Sequence, residues 1–88
     1  MRKIIIDTDP GQDDALALMT AFGARDQLCV LGVTCVAGNV PLELTTVNAL
    51  KICELSGCFD VPVYKGSPAP LKRKLITAEH VHGKTGLD

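Results

Sequence analysis

The stretch Lys3-Ile4-Ile5-Ile6-Asp7-Thr8-Asp9-Pro10-Gly11-Gln12-Asp13-Asp14-Ala15 holds the main clue to the fold. Lys3 to Ile6 is apolar and β-branched after a charged start. Such a run suits a strand buried on both faces, as in a parallel sheet. Pro10 and Gly11 end the strand and turn the chain. From Gln12 to about Ala24 the residues are rich in Ala, Leu and Met, which are good helix formers. Leu18, Ala21, Phe22 and Arg25 fall at helical spacing. The stretch is therefore strand, turn and helix, with Asp7, Asp9, Asp13 and Asp14 crowded at the junction.

The same alternation continues outward. Leu28 to Val36 is a second apolar, β-branched run, closed by the turn Ala37-Gly38-Asn39. Pro41 to about Ser56 reads as a second helix, with Pro41 suited to its first turn. Leu44, Val47, Leu50 and Leu55 are expected to form much of its apolar stripe, and Gly57 to stop it. Val61 to Tyr64 is a third short strand. This order predicts a right-handed, parallel α/β layout. In such sheets ligands bind outside the carboxyl ends of the strands. Both polar clusters, Asp7–Asp14 and Gly38–Asn39, fall at such ends. From Ser67 onward no period is visible, so loop with one short helix is expected. Three strands and two helices leave sheet edges and faces uncovered. The 88 residues are therefore expected to be the N-terminal part of a larger single domain.

Composition narrows the function. Hydrophobic residues make up 47%, enough for a core, although a domain of this size buries only ~60–65% of its unfolded surface. Aromatics make up 3%, too few for base-stacking platforms. Net charge is −1 with scattered Lys and Arg, so charge predicts neither a nucleic-acid nor a membrane surface. Lys72-Arg73-Lys74 reads as a solvated face. Asp7 and Asp9 interrupt the first apolar run too early for a signal peptide. No stretch approaches the ~20 apolar residues of a membrane span. Cys29, Cys35, Cys53 and Cys58 sit in apolar contexts with no Cys-x-x-Cys pair. They read as buried hydrophobes in a reducing compartment, the cytoplasm, rather than as a zinc site.

The aspartates need a physical account. Four of them within eight residues repel one another by roughly a few kcal/mol unless something compensates. A helix N-terminus can satisfy one or two, and Asp13 alone could be an ordinary N-cap. It does not readily satisfy two more on the strand end. A hard cation does, because Ca²⁺ takes six to eight oxygen ligands; oxygen ligands also admit Mg²⁺. Asp7 and Asp9 share a side by the two-residue strand period. Pro10-Gly11 brings Asp13 and Asp14 back toward Asp9. Neighbours on a helix diverge by ~100°, so one of that pair can face a metal and the other a substrate. Asp26, Asp60, His80 and Glu79 read as ordinary loop or surface residues, and Thr8 and Gln12 as spacers.

These residues closely resemble the signature of the inosine-uridine preferring nucleoside hydrolase family. Asp7 to Ala15 matches every fixed position of its Asp-x-Asp-x-Gly-x-Asp-Asp-Ala motif. Val36-Ala37-Gly38-Asn39, Val61-Pro62-Val63-Tyr64 with Gly66, and Ile76 through His82-Gly83-x-x-Gly86-Leu87-Asp88 follow in order. The resemblance implies a Rossmann-like parallel sheet with flanking helices and a tightly bound Ca²⁺. It implies hydrolysis of the N-glycosidic bond of ribonucleosides to ribose and free base, by a calcium-bound water. By resemblance, Asp9 is a metal ligand and the base that activates water, and Asp14 is the second carboxylate ligand. Asp13 binds a ribose hydroxyl, and Asn39 helps hold water and ribose. Asp7 supports this shell, and His82 stands near the nucleobase. Glycosidic cleavage through an oxocarbenium-like transition state is consistent with such a site. The family forms homo-oligomers, and its domains are several times longer than this chain. The remaining metal ligands and a late histidine near the leaving base are expected beyond residue 88. The 88 residues alone are therefore expected to be inactive.

Two other readings compete. Asp7-x-Asp9 after an apolar strand also resembles a haloacid dehalogenase-type phosphatase, with Asp7 as nucleophile and Asp9 as acid. That motif is short, and Asp13-Asp14 with Gly38-Asn39 favour the nucleoside hydrolase. The other reading is a non-catalytic, metal-binding α/β fragment. A dinucleotide-binding domain lacks its Gly-x-Gly-x-x-Gly after the first strand.

Overall fold

The computed structural model of the chain describes residues 1–72 and 74–87. Arg73 of the basic patch and Asp88 of the last motif lie outside the described residues. Three strands and three helices follow in the order β1 (Arg2–Thr8), α1 (Gln12–Gly23), β2 (Leu28–Cys35), α2 (Leu42–Leu55), β3 (Val63–Lys65) and α3 (Glu79–His82). The sheet has the order β1-β2-β3, and both pairings are parallel. The expected α/β alternation and the single short helix in the last segment are both present.

Strand β2 lies between the other two and carries the most deeply buried strand residues, Val33 and Cys35. Strand β1 departs from the expectation of burial on both faces. Ile4 and Ile6 are half-buried against the core, while Ile5 is 66% exposed. The cause is that only one face of β1 packs on the core: Ile4 and Ile6 lie on that face, and Ile5 between them lies on the other. Its register also shifts between Ile4 and Ile5. Ile4 pairs with Val30 and Ile5 with Gly32, which leaves Leu31 as an extra residue in β2. Beyond the shift the register is regular, so Thr8 and Cys35 finish level at the carboxyl end.

Helix α1 buries Leu18 and Phe22, one turn apart, against β2 and α2. Full burial of a leucine contributes about 1.5–3 kcal/mol. Helix α2 presents a different face from the expected stripe. Val47, Leu50 and Leu55 are exposed, and the buried side is Leu42, Thr45, Asn48, Ala49, Ile52 and Cys53. Two polar residues can occupy that side because each is hydrogen-bonded there. The Thr45 hydroxyl donates to Val36 O at 2.9 Å. The Asn48 amide donates to Pro10 O at 3.1 Å and Thr85 O at 2.6 Å. Burial of a satisfied amide costs little, so the hydrogen bonds decide which side turns inward.

Pro41 is the N-cap of α2 rather than a residue of its first turn. The C-terminal stop at Gly57 is as expected. Gly57 has φ +70, its N–H donates to Glu54 O, and the Cys58 N–H donates to Cys53 O at 2.9 Å. This is a Schellman closure, in which a left-handed glycine satisfies the last carbonyls. Asp60 does more than an ordinary loop residue. The Arg25 guanidinium grips its carboxylate with two bonds, at 3.1 and 2.6 Å, and ties the end of α1 to the approach to β3.

The four cysteines are free thiols; Cys35, Cys53 and Cys58 are buried and Cys29 is half-buried. Burial pushes the Cys35 thiol up to about 11. It raises Cys53 as well, with Cys58 adding to the effect. Thiolate is the reactive form. Alkylation of the native protein at neutral pH should therefore mark Cys29 first, and Cys35 only after unfolding. Peptide mass spectrometry along a time course reads the order. Equal native rates at Cys29 and Cys35 would contradict this packing.

Candidate active site

The site begins where β1 ends. Thr8 is buried, and its carbonyl accepts the Val36 N–H at 3.0 Å, which keeps the ends of β1 and β2 side by side. Asp9 is the next residue. Pro10 and Gly11, both buried, then carry the chain into α1. Gly11 is the N-cap, with an extended backbone and no capping side chain. Asp13 is thus not the N-cap. Asp14, third in the helix, reaches back instead, and its Oδ2 accepts the Asp9 N–H at 3.2 Å. Pro10, between them, has no N–H to offer.

Asn39 holds Asp9 from the second strand end. Its backbone N–H donates to Asp9 Oδ2 at 3.0 Å, and its side-chain Nδ2 donates to Asp9 O at 2.7 Å. Gly38 makes this approach possible. A Cβ there would overlap Asp9 Oδ2 and lie 3.0 Å from its carboxyl carbon.

Asp9 and Asp14 form a carboxyl pair. Burial raises the Asp14 pKa above its ordinary value, and the hydrogen bond with the Asp9 carboxyl raises it further. The Thr8 hydroxyl works in the opposite direction. A partly buried carboxyl pair in which Asp9 raises the Asp14 pKa fits a hard cation, which would offset that penalty. Among the described residues, no group of three His, Cys, Asp or Glu side chains is assembled to hold a metal. The pair could supply two oxygen-bearing side chains to a coordination shell.

His82 closes the site from the last segment. Its Nδ1 lies 2.6 Å from Gln12 Oε1. Its ring occupies the space a Cβ on Gly11 would need, and Asn39 Nδ2 would be 2.9 Å from that Cβ. The segment is fastened on both sides of His82. The Ala78 N–H donates to Asn39 O at 2.8 Å. Asn48 bridges Pro10 O and Thr85 O. Gly86, at φ +92, packs where a Cβ would come within 2.8 Å of Asn48 Nδ2.

The structure thus brings Asp9, Asp14, Asn39 and His82 together around the Pro10-Gly11 turn. Asp13 is exposed in the first turn of α1, at the head of a shallow groove with Leu16, Ala17 and Thr20. Asp7 is exposed, and its Oδ1 accepts the Thr34 hydroxyl at 2.6 Å. Sequence reasoning missed Asn48 and undervalued Gln12 and Thr8. One signal was available for Asn48: asparagine is a weak helix former, and here it stands mid-helix between apolar neighbours.

A parallel α/β fold with a carboxyl pair and an asparagine at adjacent strand ends defines a class of protein with its ligand site outside those ends. Within that class, the chain belongs to the inosine-uridine preferring nucleoside hydrolase family, whose model matches residues 4–88. It is 57% identical over 86 residues to an uncharacterized protein of Schizosaccharomyces pombe, covering 98% of this chain and 27% of that one. It is 49% identical over 87 residues to the pyrimidine-specific ribonucleoside hydrolase RihB of Escherichia coli, covering 99% and 27%. Its fold superposes on a plant nucleoside hydrolase, the PpNRh1 enzyme, with a TM-score of 0.88 at 42% identity, covering 97% of this chain and 27% of that one. The chain thus spans about 27% of the length of these relatives.

Proposed function

We propose that the protein hydrolyses the N-glycosidic bond of ribonucleosides and that Ca²⁺ is held by Asp9 and Asp14. The observation that carries this reading is Asp9, fixed by Asn39 from the side of β2 and paired with Asp14 at the start of α1. Calcium, when bound there, supplies positive charge that eases loss of a proton from water.

The chain's own residues divide the remaining work. Asp9 is the base. Its carboxylate takes the proton of the attacking water as the oxygen bonds to the anomeric carbon. The bond to the base nitrogen breaks, and its electron pair leaves with the base. Asn39 holds Asp9 in place and offers its amide to water and ribose. Asp13 accepts a ribose hydroxyl, an interaction that strengthens as positive charge grows on the sugar. Asp7 supports the strand end through Thr34, and His82 faces the base. The phosphatase reading would need Asp7 as nucleophile, and the family match argues against it. The four free cysteines fit a reducing compartment, and we place the protein in the cytoplasm.

The test is ribose release from inosine and uridine by the protein at its full natural length. Calcium chelation should abolish turnover, and residues 1–88 alone should show none. Phosphate-ester hydrolysis without ribose release would reject the reading. Turnover by residues 1–88 would reject the claim that the site needs further ligands.

A further inference from the structure

We propose that Gln12 is a positioning residue for His82: its side-chain carbonyl accepts a hydrogen bond from Nδ1–H, which keeps the proton on Nδ1 and leaves Nε2 as the unprotonated nitrogen. The motif leaves position 12 open, yet Gln12 Oε1 is 2.6 Å from His82 Nδ1. Gly11 provides the room, because ring atom Cε1 lies only 2.7 Å from where a Cβ would stand. The imidazole is therefore seated by its Nδ1 edge on the first turn of α1.

The local electrostatics favour this arrangement only with an acceptor present. The first N–H groups of α1 put partial positive charge where the ring sits. An Nδ1–H directed there without a partner would be unfavourable. The Gln12 carbonyl supplies that partner. A neutral imidazole donates through one nitrogen and accepts through the other, and the partner of the first fixes the role of the second. With the proton on Nδ1, Nε2 can accept an N–H from a ligand. The backbone anchors on either side, Ala78 N–H to Asn39 O and Asn48 to Thr85 O, hold the segment so that a single side-chain bond can set the ring.

The catalytic consequence rests on the nucleoside hydrolase reading; the tautomer does not. The experiment therefore has two readouts on the full-length protein and its Gln12→Leu and Gln12→Glu variants. The first is the ¹⁵N spectrum of the histidine side chains above the imidazole titration range, with His82→Gln assigning the signal. His82 should show a protonated Nδ1 in the native protein and in Gln12→Glu, and lose it in Gln12→Leu. The second is nucleoside turnover, where Gln12→Leu should lower kcat by about tenfold with KM nearly unchanged, and Gln12→Glu should restore most of it. A native His82 protonated on Nε2, or a spectrum unchanged by Gln12→Leu, overturns the proposal. A tautomer change with unchanged kcat overturns its catalytic part. A tautomer change in a protein that hydrolyses no nucleoside upholds the positioning and rejects the functional reading instead.

Discussion

Asp9→Asn is expected to lower nucleoside turnover by the full-length protein about a thousandfold while leaving the fold intact. A positioned general base contributes roughly 10²–10⁴-fold, and this substitution also removes one charged ligand from the cation. The fold should survive because asparagine keeps the size of the side chain and an oxygen that can accept the Asn39 N–H. The bond from Asn39 Nδ2 goes to the Asp9 backbone carbonyl and is untouched. In the absence of calcium the variant should be at least as stable as the native protein. The reason lies in Asp14, whose pKa is raised by burial and then by Asp9. Neutralising Asp9 removes part of the cost of ionised Asp14. With calcium the order should reverse, because the native protein alone gains the full energy of binding. Thermal unfolding with and without calcium, beside kcat, measures both effects. Native-like turnover would remove Asp9 from the role of base. A large loss of calcium-free stability would mean that Asp9 is structural.

Much of this site was legible in the sequence because its parts are local. Strand, turn and helix start can be read from Ile4-Ile5-Ile6, Pro10-Gly11 and the Ala- and Leu-rich run after Gln12. The parallel order then puts Asn39 beside Asp9 by topology alone. What was not legible depended on partners distant in sequence. Residues 47, 50 and 55 look like the natural core of α2. The helix instead turns Thr45 and Asn48 inward, because carbonyls of Val36, Pro10 and Thr85 wait there. No periodicity contains those carbonyls. Gln12 looked like a spacer because its partner, His82, is seventy positions away. Asp60 looked like a loop residue until α1 placed Arg25 opposite it. Burial of β1 was overestimated for a related reason: an apolar β-branched run states what a strand can bury, and the faces that other elements cover decide what it does bury.

Gly38→Ala is expected to be strongly damaging, with a loss of about 1–3 kcal/mol of stability and about a hundredfold in turnover. No left-handed backbone is involved; the cause is the close approach of Asp9. The added Cβ would overlap Asp9 Oδ2 and press on its carboxyl carbon and Cβ, at 3.0 and 3.2 Å. Neither side can yield easily. The Asp9 carboxyl is held by the Asn39 N–H, and its backbone carbonyl by the Asn39 side chain. The two strand ends are joined by the Val36 N–H to Thr8 O bond. Relief would come from rotating the Asp9 carboxyl away from Asn39, which also separates it from Asp14. A displacement of about 1 Å at a base is enough for a hundredfold loss. Gly23→Ala is the matched control. It adds the same methyl at the end of α1 with nothing within 4 Å, so it should stabilise slightly, as alanine does in helices. Calcium affinity should fall for Gly38→Ala and stay constant for Gly23→Ala. If Gly38→Ala binds calcium and turns over nucleoside like the native protein, Asp9 can do its work from another rotamer, and the close packing of Gly38 against it is not what sets the base.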